Sequence, residues 1–580
     1  MKRIIRKLLP VLIGGSVVLV AGCASEQAEE PLEENSAAVG ELGRLGPKAF
    51  RNTFAHYLRK DGVSDDAIHE LVYLAPPEVT DPKIEPDPSA PLARLDARFR
   101  GIRPSALYDH GRKTPIRDTV DVEGALAARP VHIVVLPGIF GEFIDVAPFE
   151  EVYQSKTSAA RVRWERLIAE KAALPEATDT TFDPKLVKDA PRSLASLVRT
   201  GSIDDDGGRP LVTVSYMVPP LGSLESLGTL EENAAIYLRR LRKYFALVGT
   251  SEDVYVLGYS RGAATALEVV AQATQKPSEN PWTGRLRGVI SLAGVLYGSQ
   301  LADGARAKGS AQADVIEVLA GLGDDLESCT AETPTATRLR IQAANGARWA
   351  AAVAKAGYRA TKLPSHPEIA WEAIASESPD LARMTTFARR LLVDDVFTLA
   401  SPLAAYCPNV ERFKAALKKT VAGIDTLTTA ARLDWWRTHT LPTNLRYFAL
   451  TGTMGDATRQ PGQSWPHAQN TTSYDPSSID FKSLRTNYYD LLDASGIEAN
   501  DSQVTINRAK FWPSLMPVLN PRQRPLDTYF LGTLGSHHWG LAFPRAFATK
   551  DGRTANPYPR TALAHALGSF VSLVAQHEGR

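Results

Sequence analysis

The chain has 580 residues, with 66 Lys and Arg against 65 Asp and Glu, so its formal net charge at pH 7 is +1. That balance offers no basic footprint for nucleic acid and no charge excess for any other polyionic partner. Hydrophobic residues at 44% and charged residues at 23% describe an ordinary globular protein, long enough for several domains or for one fold carrying large insertions.

The amino terminus reads as an export signal. Lys2, Arg3, Arg6 and Lys7 form a positive region, and the apolar run from Leu8 to Val20 is too short to span a bilayer comfortably. Val20-Ala21-Gly22-Cys23 resembles the bacterial lipobox, which implies a signal over 1–22 and a lipidated Cys23 at the start of the mature protein. The expected location is the bacterial cell envelope. Ala24, standing where an aspartate would favour the inner membrane in some enteric bacteria, favours the outer one. The alternative is a plain signal peptide or anchoring helix with a chance cysteine. Residues 23–45 carry Glu26, Glu29, Glu30, Glu33 and Glu34 among Ser, Ala and Pro, the composition of a solvated tether. Cys329 and Cys407 are a candidate disulfide in an oxidising compartment, or two reduced buried thiols.

Residues 46–125 are expected to form an amino-terminal extension, helical from Pro47 because Phe50, Phe54, Tyr57 and Leu58 recur at helical spacing, then extended through proline-rich sequence. Apolar strand-like runs follow at Val131–Leu136, Leu211–Met217, Val254–Leu257, Gly288–Leu292, Leu445–Leu450 and Thr528–Leu531. Helical patterns at Glu231–Leu247, Ala263–Gln275 and Thr561–Gln576 alternate with them. Continuous apolar strands separated by helices imply an α/β fold with a mostly parallel sheet covered on both faces, built from 126–299 and 441–580. Between them, 300–440 lacks strand signals and holds Trp349, Trp371, Trp435 and Trp436, so a helical cap or lid insertion is expected there.

The chemistry centres on Gly258-Tyr259-Ser260-Arg261-Gly262, set between a strand pattern and an Ala-rich helix pattern. By composition the pentapeptide G-x-S-x-G arises by accident in roughly one chain in six of this length. Its place at a strand-to-helix junction is what marks it as a nucleophile elbow, where a strained turn lifts the serine hydroxyl clear of the sheet. A serine hydroxyl is a weak nucleophile, so Ser260 needs a base and a group to orient that base. His537 and His538, in Gly535-Ser536-His537-His538-Trp539-Gly540, are the candidate bases; Asp456 and Asp501 are the candidate acids. No acidic or Cys partner stands at metal-ligand spacing from the histidine pair, and no metal or organic cofactor is implied.

Four stretches now point the same way: LPGIFG after a strand, GYSRG, SLAGVLYGSQLAD at Ser291–Asp303, and NDSQV followed by HHWG. Together they resemble the α/β-hydrolase superfamily, and within it bacterial lipases and esterases, whose triad order along the chain is Ser, acid, His. The resemblance prefers His538, since His-Trp-Gly is similar to the lipase histidine loop, and keeps His537 as the alternative. It prefers Asp501 over Asp456, because Asn500-Asp501-Ser502-Gln503-Val504 is similar to an N-D-G-x-V acid loop with Ser502 in the glycine position. It implies an oxyanion hole from the amides of Arg261 and Ile139, with Phe140 the alternative, in a loop where Pro137 replaces the usual histidine. The implied activity is a serine carboxylic-ester hydrolase acting on hydrophobic acyl esters through an acyl-enzyme. Acyl transfer or amide cleavage by the same triad, or a non-catalytic envelope lipoprotein on this scaffold, are the alternatives. Beyond substrate and membrane, no protein partner is evident.

Overall fold

A computed structural model of the chain describes residues 46–73, 114–117, 122–139, 148–178, 193–219, 225–306, 419–453, 488, 491, 499–542 and 558–578. The signal, Cys23, the tether, Phe140, Cys329, Cys407, Asp456 and residues 307–418 of the insertion lie outside the described residues. No helix among the described residues is long and apolar enough to cross a membrane.

The strands are β1 (Val72–Tyr73), β2 (Val131–Leu136), β3 (Val198–Asp204), β4 (Pro210–Met217), β5 (Asp253–Tyr259), β6 (Leu286–Leu292), β7 (Arg446–Gly452) and β8 (Asp527–Leu534). They form one sheet in the order β1-β8-β7-β6-β5-β2-β4-β3. The six strands expected from the apolar runs, β2 and β4 to β8, pair in parallel. Only the edges are antiparallel, β3 against β4 and β1 against β8. Among the helices around the sheet are α1 (Pro47–Lys60), α2 (Val122–Ala128), α3 (Leu230–Val248), α4 (Arg261–Gln275), α5 (Gln300–Arg306), α6 (Thr429–Thr438) and α7 (Arg560–Glu578).

Every residue of β2 is buried because both faces of the sheet are covered. One face, with Val134, Val254, Val256, Val289 and Ala449, packs against α3, α4 and α6. The other meets α7, where Phe448 lies edge-on to Phe570 at 6.1 Å and the Tyr255 hydroxyl donates to Val571 O. Part of the segment read as an extension belongs to this second layer. Phe50 of α1 meets Phe570 at 5.7 Å, Tyr57 stacks on His565 at 4.3 Å, and the Tyr57 and Ser569 hydroxyls bond at 2.5 Å. Trp435 and Trp436, on the carboxyl-terminal flank of the expected cap, are buried in the core beside α4. The Trp435 indole donates to Glu268 of α4, and the Trp436 indole to Leu296 O.

Register decides what the sheet can present. Leu136 lies opposite Gly258, Tyr259 opposite Leu292, and Gly452 opposite Leu534, so the loops leaving β2, β5, β6, β7 and β8 emerge along one carboxyl edge. The insertion leaves and returns beside that edge. Asp303 of α5 accepts from the Thr429 amide at 2.8 Å and from its hydroxyl, capping α6, while Arg306 pairs with Asp425. A parallel sheet covered by helices on both faces, with a turn-mounted serine at its carboxyl edge and a large insertion after β6, is the α/β-hydrolase fold.

The docking of α1 on α7 carries a pH dependence. Burial pushes the His565 imidazole down to about 4 from its ordinary 6.5, Glu123 opposing this and Lys60 and His56 reinforcing it. The folded chain therefore holds this ring neutral while the unfolded chain protonates it near 6.5. Its stabilising contribution is complete above that pH and lost as the pH falls toward 4, by an amount on the order of 2 kcal/mol. His565→Phe, which keeps the stack on Tyr57, is expected to reduce the drop in thermal midpoint between pH 7 and pH 4.5. The slope that remains comes from carboxylates such as Glu123, which Lys60 holds below its usual range. A midpoint that falls as steeply in the variant as in the parent contradicts this account.

Candidate active site

Ser260 joins β5 to α4 with φ 57° and ψ −127°, outside the regions open to most L-residues. Two glycines make that turn possible. A Cβ on Gly258 would lie 2.2 Å from Ala263 Cα, and one on Gly262 would lie 2.5 Å from Leu136 O and 2.6 Å from Pro137 O. All three neighbours are backbone, so the start of α4 rests directly on the end of β2 and no side chain fits between them. The Ser260 amide donates to Leu292 O, and its carbonyl accepts from the amides of Ala263 and Val295. Strain at the elbow is thus held by β6 and the segment that follows it.

The histidine loop and the acid loop meet. His538 Nδ1 and Asp501 Oδ2 are 2.7 Å apart, and both side chains are almost fully buried. Asp501 Oδ1 accepts from the amides of Gln503 and Val504, each at 2.9 Å, which fixes the carboxylate and leaves Oδ2 for the imidazole. The loops also join through backbone, the His538 amide donating to Asp501 O at 2.8 Å. Gly452, at the end of β7, supplies the room: a Cβ there would lie 2.8 Å from Asp501 Cβ and from Ser536 O. His537 is differently engaged. Its Nδ1 accepts from the Gly540 amide at 2.9 Å and caps the short turn His538–Leu541. Among the described residues, no hydrogen bond joins Ser260 Oγ to either imidazole.

Of the expected oxyanion loop, Pro137, Gly138 and Ile139 are described and Phe140 is not. The loop passes over the elbow closely enough that a Cβ on Gly138 would lie 3.3 Å from Ser260 Cβ. The Arg261 side chain turns away into the core, its guanidinium donating to Ser226 O at 2.6 Å and to Gly228 O. That braces the chain entering α3 and leaves the Arg261 backbone at the turn. No group of three or more His, Cys, Asp or Glu side chains among the described residues is placed to hold a metal ion.

Sequence reasoning passed over Tyr259, whose hydroxyl donates to His538 O at 2.7 Å. The sequence places Gly138 in the LPGIFG loop but does not show the contact it admits, and it gives Gly452 no role. The x before the serine in G-x-S-x-G carries no residue preference to read, and a glycine's reason is the neighbour it admits, which only the fold supplies.

Backbone strain gathers at this edge. Of the four non-glycine residues with positive φ among those described, Ser260, Ala293 and Ser502 adjoin the elbow or the acid. Ser502, in the glycine position of the acid loop, takes φ 82° and buries a hydroxyl that finds no hydrogen-bond partner among the described residues. Left-handed strain of about 1–2 kcal/mol and the cost of the buried hydroxyl together outweigh the extra unfolded-state freedom of glycine. Ser502→Gly is therefore expected to stabilise the protein by about 1 kcal/mol in chemical denaturation; a loss of stability would contradict the strain.

No protein-family model matches the chain, and no curated protein does. Among solved structures it is similar to a metagenomic carboxyl esterase at 16% identity, covering 79% of each chain with a TM-score of 0.34. It is also similar to a Bacillus licheniformis lipase in its mature form at 12% identity, covering 71% of this chain and 86% of that one, TM-score 0.29.

Proposed function

We propose that this protein is a serine hydrolase that cleaves carboxylic esters of hydrophobic acyl groups through an acyl-enzyme. The observation that carries the reading is the buried 2.7 Å contact between His538 and Asp501, held by Tyr259 to the strand that leads into Ser260. An imidazole fixed at Nδ1 by a carboxylate presents Nε2 as the proton acceptor, which is the state a general base requires.

Ser260 Oγ attacks the acyl carbonyl while His538 Nε2 takes its proton, and Asp501 stabilises the imidazolium so formed. The amides of Ile139 and Arg261 hold the oxyanion of the tetrahedral intermediate. Collapse expels the alcohol, which receives the proton from His538, and water repeats the sequence on the acyl-enzyme. The bond from Ser260 to His538 forms as substrate closes the site, since catalytic contacts commonly tighten only in the Michaelis complex. Asp501 is preferred over Asp456 because its carboxylate already bonds to His538. His538 is preferred over His537 because the Gly540 amide occupies His537 Nδ1.

The insertion is assigned to a cap over the carboxyl edge. The stem formed by Asp303 and Thr429 supports this, since it grows from the segment whose Val295 amide bonds to Ser260 O. The export pattern and Val20-Ala21-Gly22-Cys23 support a body tethered to an envelope membrane through acyl chains on Cys23.

Ser260→Ala is expected to abolish turnover of p-nitrophenyl esters and labelling by a fluorophosphonate, with the circular dichroism spectrum unchanged. Asp501→Asn is expected to lower kcat by roughly 10³–10⁴-fold. Turnover unchanged in Ser260→Ala removes the mechanism. For the tether, Cys23→Ser is expected to move the protein from the membrane fraction to the soluble one and to end incorporation of a labelled fatty acid; membrane retention with no label in the parent would refute lipidation.

A further inference from the structure

His538 is fastened at three points among the described residues, and two of them belong to the acid loop: its amide on Asp501 O and its Nδ1 on Asp501 Oδ2. The third is the Tyr259 hydroxyl, donating to His538 O at 2.7 Å. Asp501 and His538 therefore share one another, and Tyr259 links the pair to β5. Tyr259 precedes Ser260 directly, so its ring moves with the elbow. That ring lies 5.0 Å from the imidazole, and a Cβ on Gly138 would lie 3.4 Å from its Cδ1. The phenol ring thus touches the base on one side and the oxyanion loop on another, and Tyr259 as a residue is only 6% exposed.

We propose that Tyr259 is a positioning residue that sets the distance between Ser260 Oγ and His538 Nε2, an inference that rests on the serine-hydrolase reading. Without the hydroxyl, the base keeps its acid partner but the pair loses its tie to the nucleophile. The loss falls on proton transfer and leaves substrate binding alone.

Tyr259→Phe is expected to lower kcat for a p-nitrophenyl ester about five- to tenfold, the effect of one hydrogen bond, with KM within twofold of the parent. The rate constant for fluorophosphonate inactivation should fall by the same factor, because that reaction needs the serine–base pair and no acyl-chain contacts. Titrating sites with the same probe counts folded, competent protein, so partial misfolding does not register as a lower kcat. Tyr255→Phe is the control: on the same strand, Tyr255 gives its hydroxyl to Val571 O on the layer formed by α7, away from the site, and its loss should leave kcat per site unchanged. An unchanged kcat in Tyr259→Phe, or equal losses in both tyrosine variants tracking their thermal midpoints, overturns the positioning role. If Ser260→Ala keeps turnover, the hydrolase reading itself fails; if Ser260→Ala is inactive and Tyr259→Phe is fully active, only this inference fails.

Discussion

The contact on which the rest depends is backbone against backbone, where the first turn of α4 rests on the last carbonyls of β2. With Gly262 at that crossing and Gly258 beneath it, helix and strand approach to a distance no side chain permits. That approach forces the chain to turn within one residue, and Ser260 takes the unfavourable φ because the glycines on either side take the crowding. It also draws the loop after β2 across the elbow, since Gly138 lies against Ser260 Cβ. A strained serine and a loop lying against it follow from one packing constraint.

That constraint explains which parts of the fold were legible in the sequence. A strand buried on both faces is written as an uninterrupted apolar run, so β2 and β4 to β8 stand out against their helices. β3 does not, because Val198-Arg199-Thr200-Gly201-Ser202-Ile203-Asp204 has two large apolar residues and a central glycine, the composition of a loop. Its Gly201 is required by a packing partner: a Cβ there would lie 2.2 Å from Val152 O. β1 is two residues long and carries no period at all. The α1 helix was visible in its spacing, but its packing on α7, more than five hundred residues away in sequence, was not, since periodicity marks an apolar face without naming what covers it.

The site divides in the same manner. Residue types with narrow chemical uses, such as a serine between glycines or a histidine after a strand, mark themselves, and the structure brings His538 and Asp501 into contact. Residues that act through geometry do not. Tyr259 occupies a position where any side chain would satisfy the motif, and it matters through the length of its ring and the direction of its hydroxyl. Ser502 shows the converse. Its departure from the glycine pattern alters the sequence and leaves the turn, because the Asp501 carboxylate accepting two following amides is enough to hold φ 82° at a non-glycine residue. A motif thus records the cheapest residue for a conformation, and tolerates another when neighbouring bonds over-determine that conformation.

The placement of the insertion follows from the same logic. The chain leaving β6 bonds to Ser260 O through the Val295 amide, donates the Leu296 and Tyr297 amides to Arg508 O, and reaches Gln503 O through the Ser299 hydroxyl. It is therefore fixed to Ser260 and to the loop of Asp501 before it departs. Gly298 then lies close enough to Thr429 that the returning chain is clamped beside the departing one. A sheet interrupted here keeps its carboxyl edge because both ends of the break are bonded to that edge. The same bonds tie the stem to the acid loop and the elbow, which hold Ser502 and Ser260, two of the four non-glycine residues with positive φ among those described.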